Sequence, residues 1–324
     1  MMKLRAGLVS VMMVLLAGMF LCLDSAPARA ASVNLSVGAA STGTWVYGFS
    51  VALTEILNRE VPDVKLTVVA TPGSIAHYPM LEKGQIQLGT GANFSDYWAL
   101  NGLEMFKAKH TKARLMLPAT VAVTHVFTLE SSDIKSLSDL NGKRVGMGTS
   151  GSPGPIMCNQ ILQTLDIKPQ LVWSSLDEML ELFKDGRVSA AFWNSGSPWS
   201  GLMDVATVKP VRLLPFSPEE TKKLTQKYQY FAGGVIPRQN YAWLKGDVPT
   251  ILTFPDWVAS IDVPADTIYK LTKAAWENWG EVSKAVKGAG AVTMGDVVKE
   301  GIPIHPGAVR YYEEKGIRIP PNLK

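Results

Sequence analysis

Two stretches of the chain follow one plan: a short β-like run leads through a turn of small residues into a segment with helical periodicity. These stretches are residues 34–57 and 143–165. A second pair, residues 81–89 and 182–190, repeats a helix end, a glycine and a short apolar strand. Alternation of strands with helices is typical of α/β domains. The duplication therefore predicts two similar α/β lobes, with turns and helix N-termini of both facing a shared ligand cleft.

The rest of the chain fits the same alternation. Predicted strands cover residues 33–37, 65–70, 86–89, 115–120, 144–148, 170–173, 190–193 and 211–215. Predicted helices cover residues 47–60, 74–83, 94–101, 154–165, 176–184, 218–227, 264–283 and 306–315. Pro218, Pro264 and Pro306 stand where a first-turn proline is tolerated, and Gly84 and Gly186 end helical patterns.

The length of the chain also favours two lobes, because a single hydrophobic core rarely extends over more than about 250 to 300 residues. We expect lobe 1 to contain residues 31–123 and 236–324, and lobe 2 to contain residues 124–235. The predicted crossings between the lobes are residues 122–128 and 233–241, the second of which contains a pair of glycines that widen the accessible backbone space.

The first thirty residues have the pattern of a secretion signal. Lys3 and Arg5 precede an uncharged apolar run over residues 6–23, and Ala28-Arg29-Ala30 forms an A-x-A cleavage box. The apolar run is shorter than the roughly 20 residues that a membrane-spanning helix needs. We therefore expect a signal peptide over residues 1–30, and a mature periplasmic protein that begins at Ala31.

Charge and cysteine content exclude several classes of partner. The chain has 32 Lys and Arg and 28 Asp and Glu; removing the predicted signal leaves 29 minus 27, a net charge of +2. That balance favours neither nucleic acid nor an anionic membrane surface. Cys158 is the one cysteine beyond the signal, so the mature chain forms no internal disulfide, and its apolar neighbours predict a packing role.

Cofactor and metal motifs are weak. Residues 146–151 match the G-x-G-x-x-G pattern, but the strand about 20 residues further on, 170–173, lacks the acidic residue that binds a ribose. His77, His110, His125 and His305 are scattered and form no metal-binding spacing. The serines of the turn at 149–152 miss the G-x-S-x-G elbow of hydrolases. We therefore predict no cofactor, no metal and no catalysis.

Several short motifs, in order, resemble one family of transport proteins. Gly38, Thr42, Gly43 and Tyr47 fit its first turn, and residues 73–74, 88–89 and 101–102 fit its next elements. The match continues through residues 139–145, 148, 151–152, 184–186 and 198, and ends in the His-Pro-Gly-Ala-x-Arg-Tyr-Tyr motif at 305–312. From about residue 33 onward, the chain resembles the TAXI-type solute-binding proteins of tripartite ATP-independent periplasmic (TRAP) transporters.

This resemblance implies a type II periplasmic binding protein fold. It also implies a small organic anion as ligand, such as a dicarboxylate, a 2-oxo acid or an amino acid like glutamate, and delivery to a sodium-coupled membrane permease. Ala92, Phe94 and Ser197 depart from the family pattern, and Trp45 and Trp193 add apolar surface to the predicted cleft. These departures put glutamate in doubt and favour a more hydrophobic ligand. We expect a monomer.

The predicted ligand site combines turns and strand ends of both lobes. Hydroxyl and backbone N–H groups there can orient a carboxylate, and aromatic rings can cover its carbon skeleton. Judged one at a time, the serines and threonines are equally explained as helix caps or turn formers, and the aromatics as core. The predicted residues are Ser41, Thr42, Gly43, Thr44, Trp45, Tyr47, Ser74, Asn93, Ser150, Gly151, Ser152, Trp193, Asn194 and Ser195. The motif at 305–312 is interpreted as structural.

Two other functions stay open. An enzyme on the same fold, resembling the thiamine-pyrimidine precursor synthases, acts inside the cell, so the predicted export signal argues against it. A periplasmic ligand sensor shares every sequence feature of a transporter subunit. Permease genes next to this one would favour the transporter.

Overall fold

The chain folds into two mixed β-sheets covered by helices. The computed structural model describes residues 32–40, 45–286 and 288–324, without the side chain of Trp45. The predicted signal peptide and turn residues 41–44 lie outside the described residues. Residues Asn34–Lys324 form one compact unit. Mixed α/β architecture, as the sequence predicted, is confirmed.

The strands are β1 (Val33–Ala39), β2 (Val64–Ala70), β3 (Leu88–Ala92), β4 (Ala113–Pro118), β5 (Ala122–Leu129), β6 (Arg144–Met147), β7 (Gln170–Trp173), β8 (Ala190–Ser195), β9 (Val211–Leu213), β10 (Ala232–Ile236), β11 (Val248–Thr253) and β12 (Pro255–Ser260). The α-helices are α1 (Trp45–Glu60), α2 (Ser74–Glu82), α3 (Asn93–Asn101), α4 (Pro153–Thr164), α5 (Leu176–Lys184), α6 (Ser200–Val208), α7 (Pro218–Lys227), α8 (Ala265–Glu277), α9 (Trp279–Ala285) and α10 (Pro306–Glu314). Short 3₁₀ helices cover Leu137–Leu140, Arg238–Asn240, Ala289–Ala291, Met294–Lys299 and Pro321–Leu323.

The first sheet has the strand order β2-β1-β3-β12-β4. Strands β1 and β3 are parallel, with Val37 opposite Leu88, whereas β12 runs antiparallel to both of its neighbours, β3 and β4. The carboxyl ends of β1 and β3 therefore lie at one edge, where α1 and α3 begin. That edge is where an α/β sheet most often holds its ligand.

The second sheet has the order β10-β11-β5-β8-β6-β7, with β9 added beside β5. Strands β6, β7 and β8 are parallel, with Val145 opposite both Leu171 and Ala190. Behind this sheet lies an apolar cluster that includes Phe127 and Phe183. The sheet also contains β11 (Val248–Thr253), which the predicted boundaries assign to lobe 1. The division into lobes stays a prediction.

The two predicted crossings are wrong. Residues 122–128 lie in β5, a central strand of the second sheet, and residues 233–236 lie in β10. The chain passes between the sheets instead at residues 119–121 and at Phe254. These two segments lie side by side, because the N–H groups of Ala119 and Thr120 both donate to the carbonyl of Pro255, at 2.8 and 3.2 Å.

All eight predicted strands and all eight predicted helices overlap observed elements, but among the described residues four strands, β5, β10, β11 and β12, and one α-helix, α6, were not predicted. Residues 176–184 and 218–227 are helical as predicted, whereas the helix predicted over residues 264–283 is divided at Asn278 into α8 and α9. The structural interpretation of the motif at 305–312 is confirmed, since Pro306 starts α10 and Tyr311 and Tyr312 are buried. A Cβ on Gly307 would lie 2.1 Å from the carbonyl oxygen of Ala265 in α8, so only glycine fits there.

Candidate functional site

The first predicted turn can be located only by its flanks. Strand β1 ends at Ala39 and α1 begins at Trp45, so the turn joins the carboxyl end of a parallel strand to a helix N-terminus. Tyr47 lies in the first turn of α1 and is half-buried. The contributions of Ser41, Thr42, Gly43, Thr44 and the side chain of Trp45 stay predictions, because they fall outside the described residues.

A buried histidine ties three strand ends together beside that turn. The His77 Nε2 atom lies 2.7 Å from the Thr71 hydroxyl, which itself contacts the carbonyl of Ala39 at the end of β1. The Nδ1 atom lies 2.8 Å from the carbonyl oxygen of Thr90 in β3. Burial lowers the pKa of His77 below its ordinary value, although contacts to backbone carbonyls act in the opposite direction. From the sequence, His77 was considered as a metal ligand, and this scaffold role was not predicted.

Two glycines make room for this histidine. A Cβ on Gly38 would lie 2.9 Å from the His77 ring, and a Cβ on Gly89 would lie 3.1 Å from its side chain. Both glycines stand in strands, where glycine often marks the close approach of another group. That position of Gly38 and Gly89 is the sequence signal for the buried ring.

Ser74 and Asn93 begin the next two helices of the first sheet, and their surroundings differ. Ser74 is half-buried and follows Gly73, whose φ of 135° suits glycine. Asn93 is fully buried. Its Oδ1 accepts from the N–H groups of Phe94 and Phe254, each at 3.1 Å, and its Nδ2 donates to the carbonyl of Tyr230 at 2.7 Å. The Asn93 amide thus holds the crossing segment, and its ligand contact stays a prediction.

Asn194 reaches the same crossing from the second sheet. Its Oδ1 accepts from the Thr253 hydroxyl at 3.1 Å, one residue before Phe254. Asn194 is half-buried, as is Ser195, whose hydroxyl donates to the carbonyl of Gly196 at 3.2 Å. The structure therefore brings together Asn93 and Asn194, 101 positions apart in the sequence, on either side of Thr253 and Phe254.

The turn between β6 and α4 is the open part of the predicted site. Ser150 and Gly151 are exposed, Gly151 has a φ of 80°, and Ser152 is half-buried. The Ser152 hydroxyl donates to the carbonyl of Thr149 at 2.6 Å, a local turn bond. Proline occupies positions 153 and 155, so Gly154 alone among the first three residues of α4 has an N–H. This helix terminus offers fewer backbone donors than an ordinary one.

Trp193 lies against this turn. A Cβ on Gly148 would lie 2.8 Å from the indole ring, so glycine lets the ring approach the backbone just before Thr149. Trp193 is half-buried and stacks on Trp199, with ring centroids 5.8 Å apart and an interplanar angle of 22°. The turn residues 149–152 and Trp193, which the sequence predicted as parts of one site, are therefore neighbours.

A second layer of polar contacts supports the tryptophan pair. The backbone N–H of Trp199 donates to the Tyr241 hydroxyl at 2.8 Å, and the His125 Nε2 atom lies 2.7 Å from that hydroxyl. Burial lowers the pKa of His125 to about 3. Trp199 and Tyr241 were not predicted from the sequence. The partners of Tyr241, His125 and Trp199, lie 116 and 42 positions away in the chain.

Acidic side chains are buried next to the crossing. Asp96 in α3, Asp256 in β12 and Glu300 are all inaccessible to solvent. A Cβ on Gly91 would lie 2.6 Å from the Asp96 carboxylate and 2.9 Å from that of Asp256, which places both carboxylates on one glycine. Burial raises the pKa of Asp96 to about 6. Burial, followed by the charges of Asp96 and Glu300, raises the pKa of Asp256 well above its ordinary value.

The described residues contain neither a metal-binding cluster nor a membrane-spanning helix. Residues 32–40, 45–286 and 288–324 contain no group of three or more His, Cys, Asp or Glu side chains arranged to hold a metal ion. Among the helices of the same residues, none is both long and apolar enough to cross a membrane.

Comparison with known proteins identifies the architecture. A model of the NMT1-like family matches residues 37–316. The structure of a TctC solute-binding protein from Polaromonas aligns with a TM-score of 0.59 at 12% identity, over 90% of this chain and 99% of that one. The probable amino-acid ABC transporter extracellular-binding protein ytmK from Bacillus subtilis gives 0.51 at 14% identity, over 79% and 98%. XAC2383 from Xanthomonas citri, solved bound to ATP, gives 0.52 at 11%, over 87% and 95%. The fold is that of periplasmic solute-binding proteins.

Proposed function

Because the chain belongs to the NMT1-like family and has the fold of periplasmic solute-binding proteins, we propose that it is the solute-binding subunit of a transporter. In this proposal it is exported through its N-terminal signal, acts as a monomer in the periplasm and captures a small organic anion. A membrane permease then receives the ligand. In the same proposal it releases the ligand chemically unchanged and uses no metal or cofactor.

The observation that carries the proposal is the exposed turn of residues 149–152 beside Trp193. The Ser150 hydroxyl and the N–H groups of the turn are donors for a carboxylate, and the half-buried indole supplies an apolar surface. Because Pro153 and Pro155 remove two backbone donors, the hydroxyl carries more of the anion binding here than at an ordinary helix N-terminus. This mixture favours a carboxylate with an apolar skeleton over glutamate.

The transporter type in the proposal is TRAP, and the subunit type is TAXI. Support comes from the ordered motifs of the sequence, above all the segment at 305–312, which begins α10. Ser41, Thr42, Gly43, Thr44 and Trp45 would complete the site from the first turn. In this proposal the segments at 119–121 and at Phe254 act as the hinge between two lobes.

The first experiment measures thermal unfolding of the purified mature protein against a panel of carboxylates that differ in apolar length. Ligand at 100 times its dissociation constant stabilises the folded state by about 2.7 kcal/mol. Mass spectrometry of the denatured protein identifies any ligand that copurifies. A panel without any shift, together with no copurifying ligand, contradicts the proposal.

Variants locate the site. Trp193→Ala should weaken binding of the active carboxylate, and Trp243→Ala is the matched control, because Trp243 is also half-buried but lies beside Val248 at the start of β11, away from the turn at 149–152. Thr42→Ala and Thr44→Ala each test the first turn, with an expected loss of about 1.5 to 3 kcal/mol if their hydroxyls bind a charged group. Normal binding by all three site variants contradicts the site.

The rival functions differ in what happens to the ligand. An enzyme related to the thiamine-pyrimidine precursor synthases would change the mass of the bound compound during incubation, whereas a binding protein releases it unchanged. A sensor would bind it without supporting uptake. Vesicles that contain the permease encoded beside this protein separate the TRAP subunit from a sensor. Uptake that is driven by a sodium gradient and is lost without this protein supports the TRAP subunit.

A further inference from the structure

A polar pocket around Arg114 lies away from the candidate site. It has a volume of about 450 Å³ and is lined by Tyr97, Leu100, Asn101, Thr111, Arg114, Gln229, Gly301, Pro303 and Asn322. None of these lining residues is acidic. Arg114 stands at the start of β4, and the crossing begins after Pro118 at the other end of that strand. Four residues of β4 separate Arg114 from Pro118, a distance of about 13 Å along the strand.

Arg114 lacks the carboxylate partner that three of the described arginines have. Arg59, Arg212 and Arg310 pair with acidic side chains at 2.8, 3.1 and 2.7 Å. Arg114 takes part in no ion pair within the described parts of the chain, and it is half-buried. Burial lowers its pKa, and no neighbouring acid raises it. The charge of Arg114 also contributes to lowering the pKa of His305 to about 4, after the larger effect of burial.

The guanidinium is held in place by one nitrogen only. Its Nη1 atom donates to the carbonyls of Thr111 and Ala113, at 2.6 and 2.9 Å. The Nε and Nη2 atoms form the remaining edge, which is the planar pair of donors that binds two oxygens of one anion. A fixed, partly desolvated cation with a free donor edge is costly without an anion and is therefore suited to bind one.

We propose that this pocket is a second ligand site, in which the Nε and Nη2 groups of Arg114 bind a small oxyanion, a carboxylate or a phosphate. Asn322 and Thr111, both exposed on the pocket wall, supply further polar contacts. Gln229 comes from the segment that leads to β10 of the second sheet, and its amide donates to the carbonyl of Gly301 at 2.6 Å. The pocket is therefore lined from β4 of the first sheet and from the segment that leads to β10, and its lining includes no residue of the turn at 149–152.

The test follows the arginine Nε–H resonances by nitrogen-15 NMR of the full-length mature protein. Arg114→Gln identifies the resonance of Arg114. Titration with inorganic phosphate, and separately with acetate, at constant ionic strength should shift that resonance and saturate. Response to phosphate alone or to acetate alone distinguishes a tetrahedral from a planar anion, and either result supports the site. No saturable shift with either anion overturns the proposal.

Two further variants sharpen the test. Arg238→Gln removes an exposed arginine near the second sheet and should leave the anion affinity unchanged. Asn322→Asp keeps Arg114 in place and supplies a carboxylate from the pocket wall, so it should weaken anion binding by about tenfold or more. Because Asn322 is exposed, this variant folds even if Arg114→Gln does not. Unchanged affinity in Asn322→Asp overturns the assignment.

Discussion

The strand ends of the first sheet and the turn at 149–152 of the second share a sequence plan but differ in how their polar groups are used. His77 and Asn93 are buried, and their polar atoms bond the backbone and hydroxyls of neighbouring strands. Ser150 and Gly151 are exposed, and Ser152 bonds only within its own turn. A polar residue at a strand end therefore indicates a ligand only where the fold leaves its donors free.

The largest effect on stability should come from Asn93→Ala. It leaves the N–H of Phe254 and the carbonyl of Tyr230 buried without their partner, at a cost of roughly 4 kcal/mol in the free energy of unfolding. Asn194→Ala, which removes one bond to Thr253 from a half-buried residue, should cost about 1 kcal/mol. Urea unfolding measures both. Equal losses would contradict the view that the buried Asn93 amide is a stronger scaffold contact than the half-buried Asn194 amide.

The next effect is pH-dependent and concerns Asp96→Asn. Burial raises the folded-state pKa of Asp96 from 3.8 to about 6, so the folded protein binds a proton that the unfolded chain releases. The free energy of unfolding therefore falls as pH rises from 3.8 through 6. Asparagine removes this loss, and the variant should gain roughly 2 to 3 kcal/mol over the parent at alkaline pH.

Urea unfolding across a pH series tests this prediction. The parent and the Asp96→Asn chain should have similar stability at low pH and diverge above neutrality. Asp133→Asn, which changes an exposed aspartate, should follow the parent at every pH. A difference between parent and variant that does not change with pH contradicts the pKa assigned to the buried carboxylate.

A smaller effect distinguishes two glycines with positive φ. Gly151 has a φ of 80° and Gly142 a φ of 70°, and a Cβ on either meets no atom within 4 Å. Alanine at each should therefore cost about 1 to 2 kcal/mol of stability through backbone strain alone. Only Gly151→Ala should also weaken ligand binding, as measured by calorimetry. Equal affinities of the two variants would place the ligand away from this turn.

The smallest effect on stability is expected for Ser150→Ala. The side chain is exposed, so its removal should change the free energy of unfolding by less than about 0.5 kcal/mol. Binding of a carboxylate should nevertheless weaken by about 1.5 kcal/mol or more if the hydroxyl donates to it. Ser131→Ala serves as the exposed control. Full affinity in Ser150→Ala would leave the turn without a role in anion binding.

Local signals in the sequence were sufficient for most helices. Ser217 and Glu220 form a capping box at the start of α7, and Pro218 occupies its first turn, so all the signals lie within four residues. Strands that depend on remote partners were missed. Strand β12 contains Pro255 and the buried Asp256, residues that disfavour a central strand, yet it lies between β3 and β4. Tertiary pairing overrides local preference there.

The candidate site shows the same division. Gly148, the turn at 149–152 and Trp193 were predictable from the sequence. A glycine at a strand end permits a side chain to approach the backbone, and in the structure the Trp193 ring lies against Gly148. The role of Asn93 was not predictable, because its partners Tyr230 and Phe254 lie 137 and 161 positions away. No local pattern encodes which remote carbonyl an asparagine will meet.

The contact of the His77 ring with Gly38 and Gly89 has an evolutionary consequence. As long as the ring is present, a methyl group at either glycine position would overlap or crowd it. Related sequences that keep the histidine should therefore keep both glycines. In sequences with a small residue in place of His77, alanine or serine should then occur at position 89. At position 38 a Cβ would still lie 2.7 Å from the Ile86 side chain, so a smaller residue at 86 is needed there as well. The residues at positions 38, 77 and 89 should therefore change together among related sequences.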